Sequence, residues 1–265
     1  MTIANNPYEL QRPIAGVKHV IAVGSGKGGV GKSTASAHIA IALKNLGLKV
    51  GVLDADIYGP SMPRIFGCLN QKPGISEDTD KILPLEKYGL KIMSMGFLVD
   101  EDQAVVWRGP MLFKAMSQFF RDVEWGDLDV LVVDLPPGTG DVALTLAQQV
   151  TVSGAFVVST PQNLSLTDAR KAFDMFAQIK IPVMGFIENM AGFKIPGTDD
   201  VIDLFPKGQS ESFLNADVEK FKIQFQPQLA VACETGVPLN QLDPNSESTQ
   251  AFQNIAEYLK TKLSL

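Results

Sequence analysis

Apolar residues along this chain collect in two kinds of stretch. Short, mostly unbroken runs lie at 17–23, 49–53, 90–95, 128–133, 155–159 and 183–187. Runs of that length without strict polar alternation read as strands covered on both faces. Elsewhere the apolar positions recur every three or four residues. They do so at Ile39, Ala42, Leu43 and Leu46 within 31–46, at Leu112, Met116, Phe119 and Phe120, over 164–179, and at Phe252, Ile255, Ala256, Leu259 and Leu263. That is helical spacing. Strand alternating with helix predicts an α/β architecture, a three-layer fold with a mainly parallel sheet flanked by helices. Residues 67–88 are rich in Gly, Pro, Ser, Asp and Lys and predict a surface loop or short hairpin. Residues 1–16 are polar, contain Pro7 and Pro13 and lack a period, which predicts a mobile arm ahead of one domain spanning 17–265.

Directly after the first strand comes Gly24-Ser25-Gly26-Lys27-Gly28-Gly29-Val30-Gly31-Lys32-Ser33-Thr34. It contains the pattern G-x-x-x-x-G-K-S, and its place between a strand and a helix makes it a phosphate-binding loop. Glycines let backbone N–H groups converge on a phosphate, with a helix N-terminus behind them. Ser25 through Thr34 are therefore the expected nucleotide-binding residues, and the fold is a P-loop NTPase fold. Lys32 brings charge to the β- and γ-phosphates of ATP, and the Ser33 hydroxyl can ligate Mg²⁺. Lys27 has no obvious partner in its own chain. It is either a solvated surface lysine or a group that acts outside its own subunit.

Ligands of parallel sheets bind beyond the carboxyl ends of the strands, so residues at those ends are candidates for the chemistry. The second strand runs into LDADIYGPS. Aspartates there can serve as caps or turn formers. Beside a triphosphate, Asp56 reads as the carboxylate that orients the attacking water, and Asp54 as a residue nearer Mg²⁺ through its hydration shell. The run 128–133 ends in Asp134, followed by LPPGTGD, the arrangement of a Walker B carboxylate on Mg²⁺. Gly138 and Gly140 give that loop freedom to respond to a γ-phosphate. Asn189 is either a turn asparagine or an amide that pairs with N6 and N7 of adenine. The Met/Phe stripe at 112–120 is core packing or a surface for a client or a second subunit.

Composition narrows the classes. The chain has 265 residues, 45% hydrophobic and 20% charged, as in ordinary globular proteins. A net charge of −6 speaks against a nonspecific nucleic-acid surface. No apolar run reaches the ~18 residues of a membrane span, and no leader-type segment is evident, so a cytoplasmic protein is expected. Cys68 and Cys233 are too few for a disulfide framework. They are small buried hydrophobes or, at four per dimer, cluster ligands. His19 and His38 lack metal-type spacing. The last helix carries only Lys260 and Lys262 as basic residues, which favours a docked helix over a membrane anchor.

The segments SGKGGVGKST, LDADIYGPSMPR, WRGPM, WGDLDVLVVDLPPGTGD, STPQ and ENMAGF together resemble the Mrp/ApbC family of P-loop ATPases over roughly residues 16–193. The KGGVGKS form of the loop resembles that of the MinD/ParA ATPases, in which the extra lysine reaches the nucleotide of the facing subunit. The resemblance implies a homodimer with ATP at its interface, slow Mg²⁺-dependent hydrolysis, and transfer of iron–sulfur clusters to an apoprotein or assembly-factor client. It also implies that Lys27 acts across the dimer beside Lys32 and Asp56, and that Asn189 reads adenine. The family places a C-x-x-C pair just after ENMAGF, where two subunits meet and four thiolates hold one cluster. Here Lys194-Ile195-Pro196-Gly197-Thr198 puts Ile195 and Thr198 at those positions, and neither is a soft ligand. Three readings follow: a divergent cluster-assembly ATPase, a cluster-free ATP-driven dimer switch, or a MinD/ParA-like positioning ATPase.

Overall fold

In the computed structural model, which describes residues 11–98, 109–138, 140–208 and 218–265, the apolar runs lie side by side in one central sheet. Strands β1 (Val17–Ser25) and β2 (Val50–Asp54) are followed by a small hairpin of β3 (Gly74–Ile75) and β4 (Ile82–Leu83). Next come β5 (Leu85–Lys87), β6 (Leu90–Ser94), β7 (Leu128–Asp134), β8 (Gly154–Ser159) and β9 (Val183–Asn189). A second hairpin, β10 (Phe193–Lys194) with β11 (Val201–Ile202), precedes β12 (Glu219–Ile223). The sheet order is β12-β9-β8-β1-β7-β2-β6-β5, parallel throughout except for β5 against β6.

The helices are α1 (Lys32–Asn45), α2 (Met62–Ile65), α3 (Gly109–Arg121), α4 (Gly140–Gln149), α5 (Asn163–Gln178), α6 (Pro227–Thr235), α7 (Leu239–Leu242) and α8 (Glu247–Lys262). From β1 the chain travels through α1 in one direction across the sheet. From β7 and β8 it travels through α4 and α5 in the other. Right-handed crossovers then place α1 on one face and α4 and α5 on the opposite face. Helix α8 packs onto α1. Covered by the sheet on one side and α8 on the other, α1 is buried from Ala35 to Leu43. An all-round apolar helix of this kind blurs the one-faced period that its sequence shows at Ile39, Ala42 and Leu43.

The α3 stripe is core: Leu112, Met116, Phe119 and Phe120 are all buried, and the Trp125 indole N–H donates to the Phe119 carbonyl at 2.9 Å. Phe252, Ile255, Ala256 and Leu259 dock α8, and no helix among the described residues is long and apolar enough to cross a membrane. The stretch 67–88 is a hairpin plus the antiparallel strand β5. Helix α4 and strand β12 were not marked by the apolar pattern. The expectation of a mobile arm needs correction at 11–16, because Ile14 is buried and the Arg12 N–H donates to the Gln149 carbonyl at 3.0 Å. Arg121 donates to the Pro13 carbonyl at 2.8 Å and to the Gln149 carbonyl at 2.7 Å, which fastens the segment to α3 and α4. The rest of the expected arm, and Trp107 and Arg108, lie outside the described residues.

His38 joins the layers. The Leu239 N–H donates to its Nε2 at 3.4 Å, so Nδ1 carries the hydrogen and donates to the Thr34 carbonyl at 2.8 Å. The ring stacks on Phe252 with centroids 5.1 Å apart. Burial drives its pKa down to about 4 from an ordinary 6.5. The unfolded chain then binds a proton through that window that the folded chain does not, so stability falls as the pH drops from 6.5 towards 4. His38→Gln should lose less on acidification than the parent, by roughly 2 kcal/mol, in urea unfolding followed at neutral and mildly acidic pH. Parallel curves would remove His38 as the source.

Candidate functional site

Strand register assembles the site. Asp54 at the end of β2 lies beside Ser94 of β6 on one side and Asp134 of β7 on the other, and Asp134 lies beside Val23 of β1. Parallel strands in register end along one edge, so the loops after β1, β2 and β7 open at the same place. A cleft of about 350 Å³ lies there. Much of the loop from Lys27 to Thr34 lines it, with Asp56, Ser61 and Arg64 on one side and Cys233 and Glu234 of α6 on another.

The loop is shaped by close approach of backbone and side chains. A Cβ at Gly26 would strike the backbone of Asp168 in α5. Gly31 has φ +89°, and a Cβ there would strike the Asn189 amide. Asn189 is the last residue of β9, and its Nδ2 donates to the Val30 carbonyl at 2.9 Å. It therefore latches the phosphate loop to the strand edge, a role that neither sequence reading of this residue contained. The Ser25 hydroxyl donates to the Lys27 carbonyl at 2.9 Å.

Lys32 and Asp134 form the electrostatic centre. Lys32 Nζ is 2.8 Å from Asp134 Oδ2 and 3.7 Å from Asp56 Oδ2. The Ser33 hydroxyl donates to Asp134 Oδ2 at 2.5 Å, and the Ser36 hydroxyl donates to Asp134 Oδ1 at 2.7 Å. Both Asp134 oxygens thus have hydroxyl donors from α1. Asp56 Oδ1 accepts the N–H groups of Tyr58 and Gly59, each at 3.2 Å, which leaves Oδ2 facing Lys32. The sequence argument missed Ser36; its only signal was a serine inside an otherwise apolar helix.

Asp54 is placed one layer behind the position expected for a metal-side residue. It is fully buried, and four donors enclose its carboxylate: the N–H of Asp56 at 3.1 Å, those of Ser61 and Met62 at 3.0 Å, and the Ser94 hydroxyl at 2.9 Å. Burial and the neighbouring Asp134 push its pKa up to about 7, while the donors pull it back. Asp54 positions the loop after β2.

Lys27 lines the cleft, and among the described residues its ammonium has no hydrogen-bond or ion-pair partner. Cys68 is fully buried, and burial pushes its thiol up to about 11. Cys233 Sγ lies 3.5 Å from the Thr34 hydroxyl, and burial raises its pKa also. The hairpin that carries Ile195 and Thr198 closes on itself: the Thr198 N–H donates to the Ile195 carbonyl at 3.1 Å, and the Thr198 hydroxyl donates to the same oxygen at 3.1 Å. An isoleucine and an internally bonded threonine do not fit an iron–sulfur cluster, which requires soft thiolates.

Ser36→Ala should lower stability by about 1–3 kcal/mol, because it strips a donor from a fully buried carboxylate oxygen. Urea unfolding measures this; a loss below about 0.5 kcal/mol would mean that Asp134 is held without Ser36.

Residues 16–260 match the family described as the NUBPL iron-transfer P-loop NTPase. The iron–sulfur cluster carrier protein of Aquifex aeolicus is 49% identical over 256 residues, which cover 96% of this chain and 70% of that protein. A mitochondrial iron–sulfur protein of Arabidopsis thaliana, named as required for NADH dehydrogenase, is 43% identical over 91% of this chain and 78% of its own. A solved nucleotide-binding protein of Archaeoglobus fulgidus, in complex with ADP, superposes with a TM-score of 0.74 at 35% identity and covers 86% of this chain and 90% of its own. The septum site-determining protein MinD of Pyrococcus horikoshii, with Mg-ADP, shares the fold at a TM-score of 0.64 and 23% identity over 91% of this chain and 95% of its own. The phosphate loop, the Lys32–Asp134 centre and these likenesses lead to one statement: this chain belongs to the NUBPL iron-transfer P-loop NTPase family.

Proposed function

We propose that the chain is a Mg²⁺-dependent ATPase that works as a homodimer in iron–sulfur protein assembly, with ATP held between two copies. The observation that carries this reading is Lys32, nearly buried and poised between two carboxylates at the mouth of a glycine cradle. An arriving triphosphate offers Lys32 a stronger partner and takes it from Asp134 and Asp56. The hard oxygens of Ser33 and Asp134 fit Mg²⁺, Ser33 through its hydroxyl and Asp134 directly or through water. That ion would neutralise charge between the phosphates. Asp56, with Oδ1 fixed by its own loop, keeps Oδ2 for orienting water. Asn189, with one N–H on Val30, presents its oxygen to the amine of adenine.

Support for the dimer comes from the same edge of the sheet. Tyr58, Leu98, Met111, Leu144, Leu164 and Phe225 are exposed on the loops or early helix turns that follow β2, β6, β7, β8 and β12. Apolar residues gathered around a polar cleft mark an interaction face. Lys27, whose ammonium has no partner among the described residues, is the group we assign to the facing nucleotide.

The relative from Aquifex aeolicus is named as a cluster carrier, yet the hairpin residues here do not fit the cluster. We assign the cluster's thiols to an apoprotein or assembly-factor client. The same hairpin favours a second reading, an ATP-driven switch that acts on that client without touching a cluster.

Lys32→Ala should abolish ATP binding in a fluorescent-nucleotide titration. Lys27→Ala should retain that binding but lose ATP-dependent dimerisation in analytical ultracentrifugation and most of its turnover; unchanged turnover would refute the action across the dimer. Anaerobic reconstitution with iron and sulfide should leave the purified chain without bound iron. A broad visible absorption that disappears in Cys68→Ser or Cys233→Ser would instead return the ligands to this chain.

A further inference from the structure

A tyrosine stands where the backbone has no use for one. Strands β5 and β6 pair antiparallel with Lys87 opposite Leu90, so Tyr88 and Gly89 form the whole turn between them. Both are left-handed, at φ +53° and +75°. Such a turn favours Asn or Asp followed by Gly, because a bulky side chain is strained at positive φ. Strain of this kind persists only where surrounding contacts over-determine it, and it points to a task for the side chain.

That task lies 148 positions along the chain. The Tyr88 hydroxyl donates to the Gly236 carbonyl at 2.6 Å, and the neighbouring Lys87 ammonium donates to the Gly67 carbonyl at 2.7 Å. Gly236 directly follows α6, and Gly67 lies just beyond α2. The two glycines are themselves pressed together: both are left-handed, and a Cβ on Gly236 would strike the backbone of Gly67. A single turn thus grips the ends of two helices at the point where their backbones touch. It does so from the edge of the sheet opposite the site, because Leu90 pairs with Val50 at the start of β2, whereas Asp54 at its end pairs with Ser94.

Both gripped helices wall the cleft, with Arg64 and Ile65 lining it from α2, and Cys233 and Glu234 from α6. Cys233 Sγ is 3.5 Å from the Thr34 hydroxyl, so α6 rests on the turn of α1 that follows the phosphate loop. Arg64 Nη1 lies 3.8 Å from Glu234 Oε2, which sets a cation against a carboxylate that would otherwise face an incoming polyanion alone. Both arrangements depend on how closely α6 stands to α2.

Resting on the reading of the cleft as an ATP site, we infer that Tyr88 is a positioning residue for nucleotide binding: through Gly236 it keeps α6 seated against α2 and the phosphate loop. Without that bond α6 is seated in a smaller fraction of molecules, and the affinity falls by that fraction. The seat concerns a wall of the cleft and not the terminal phosphate, so diphosphate and triphosphate lose alike.

The experiment measures Mg²⁺-dependent binding of ADP and of a non-hydrolysable ATP analogue by isothermal titration, together with ATP turnover and the melting temperature without nucleotide. It compares the parent chain, Tyr88→Phe and Ile92→Val. Tyr88→Phe keeps the ring and loses only the hydroxyl, and it should bind both nucleotides about five- to tenfold more weakly, the scale of one hydrogen bond. Its KM for ATP should rise by the same factor while turnover at saturating ATP stays within about twofold, because bound nucleotide itself seats α6. Ile92 is fully buried in the same strand β6, so Ile92→Val should lower the melting temperature without touching the bond and keep parent affinities. Equal affinity losses in Ile92→Val would make the effect one of general stability and overturn the assignment. Parent-like affinities in Tyr88→Phe would overturn it while leaving the ATP site intact. Failure of the parent chain to bind either nucleotide would bring down the ATP site itself, and this assignment with it.

Discussion

The Lys32–Asp134 pair is the constraint on which the rest of the site depends. Both side chains are nearly removed from water, at 6% and 0% exposure. Burying two charges costs desolvation energy that their mutual attraction roughly offsets, so such a pair adds little net stability. What it secures is position. The ammonium is held between the Asp134 and Asp56 carboxylates, and the Asp134 carboxylate is fixed by the Ser33 and Ser36 hydroxyls. Hydrophobic burial across the sheet and α1 supplies the stability that carries this arrangement, at about 1.5–3 kcal/mol for each large side chain fully enclosed.

Helix α1 connects that centre to the remainder of the molecule. Its first turn carries the phosphate loop. Thr34 touches Cys233 of α6, and His38 ties the Thr34 carbonyl to α7 and to Phe252 of α8. Helix α6 is held in turn to the α2 side of the cleft, where the Tyr88 hydroxyl donates to the Gly236 carbonyl at 2.6 Å and Lys87 donates to the Gly67 carbonyl at 2.7 Å. The cleft is therefore walled by elements from both ends of the chain, and its two movable-looking sides, the loop after β2 and α6, are each anchored by buried or half-buried hydrogen bonds.

The β10–β11 hairpin is closed by its own backbone and side chains. Internal bonds of Thr198 and the pairing of Phe193 and Lys194 with Ile202 and Val201 close the turn without a metal. Lys194 adds contacts to Asp199 at 3.3 Å and Glu247 at 3.0 Å. Ile195, Val201 and Ile202 are exposed on it, so its tip is apolar and offers no soft ligand.

Local pattern was enough for the strand–helix alternation, the phosphate loop and the Asp134 strand end. Each of these is written in residues adjacent in sequence, where periodicity and glycine chemistry act over a few positions. Helix α4 escaped because its apolar face is short, and the burial of α1 on all sides escaped because α8 lies about two hundred residues downstream. The burial of residues 11–16, the withdrawal of Asp54 behind the site, the latch from Asn189 to Val30 and the Ser36 support were all settled by tertiary structure. Ser33 meets Asp134 across 101 positions, Asn189 meets Val30 across 159, and Thr34 meets Cys233 across 199. Such meetings are fixed by strand register and helix docking, and those emerge only when the whole apolar surface is buried at once, which no stretch of sequence accomplishes alone.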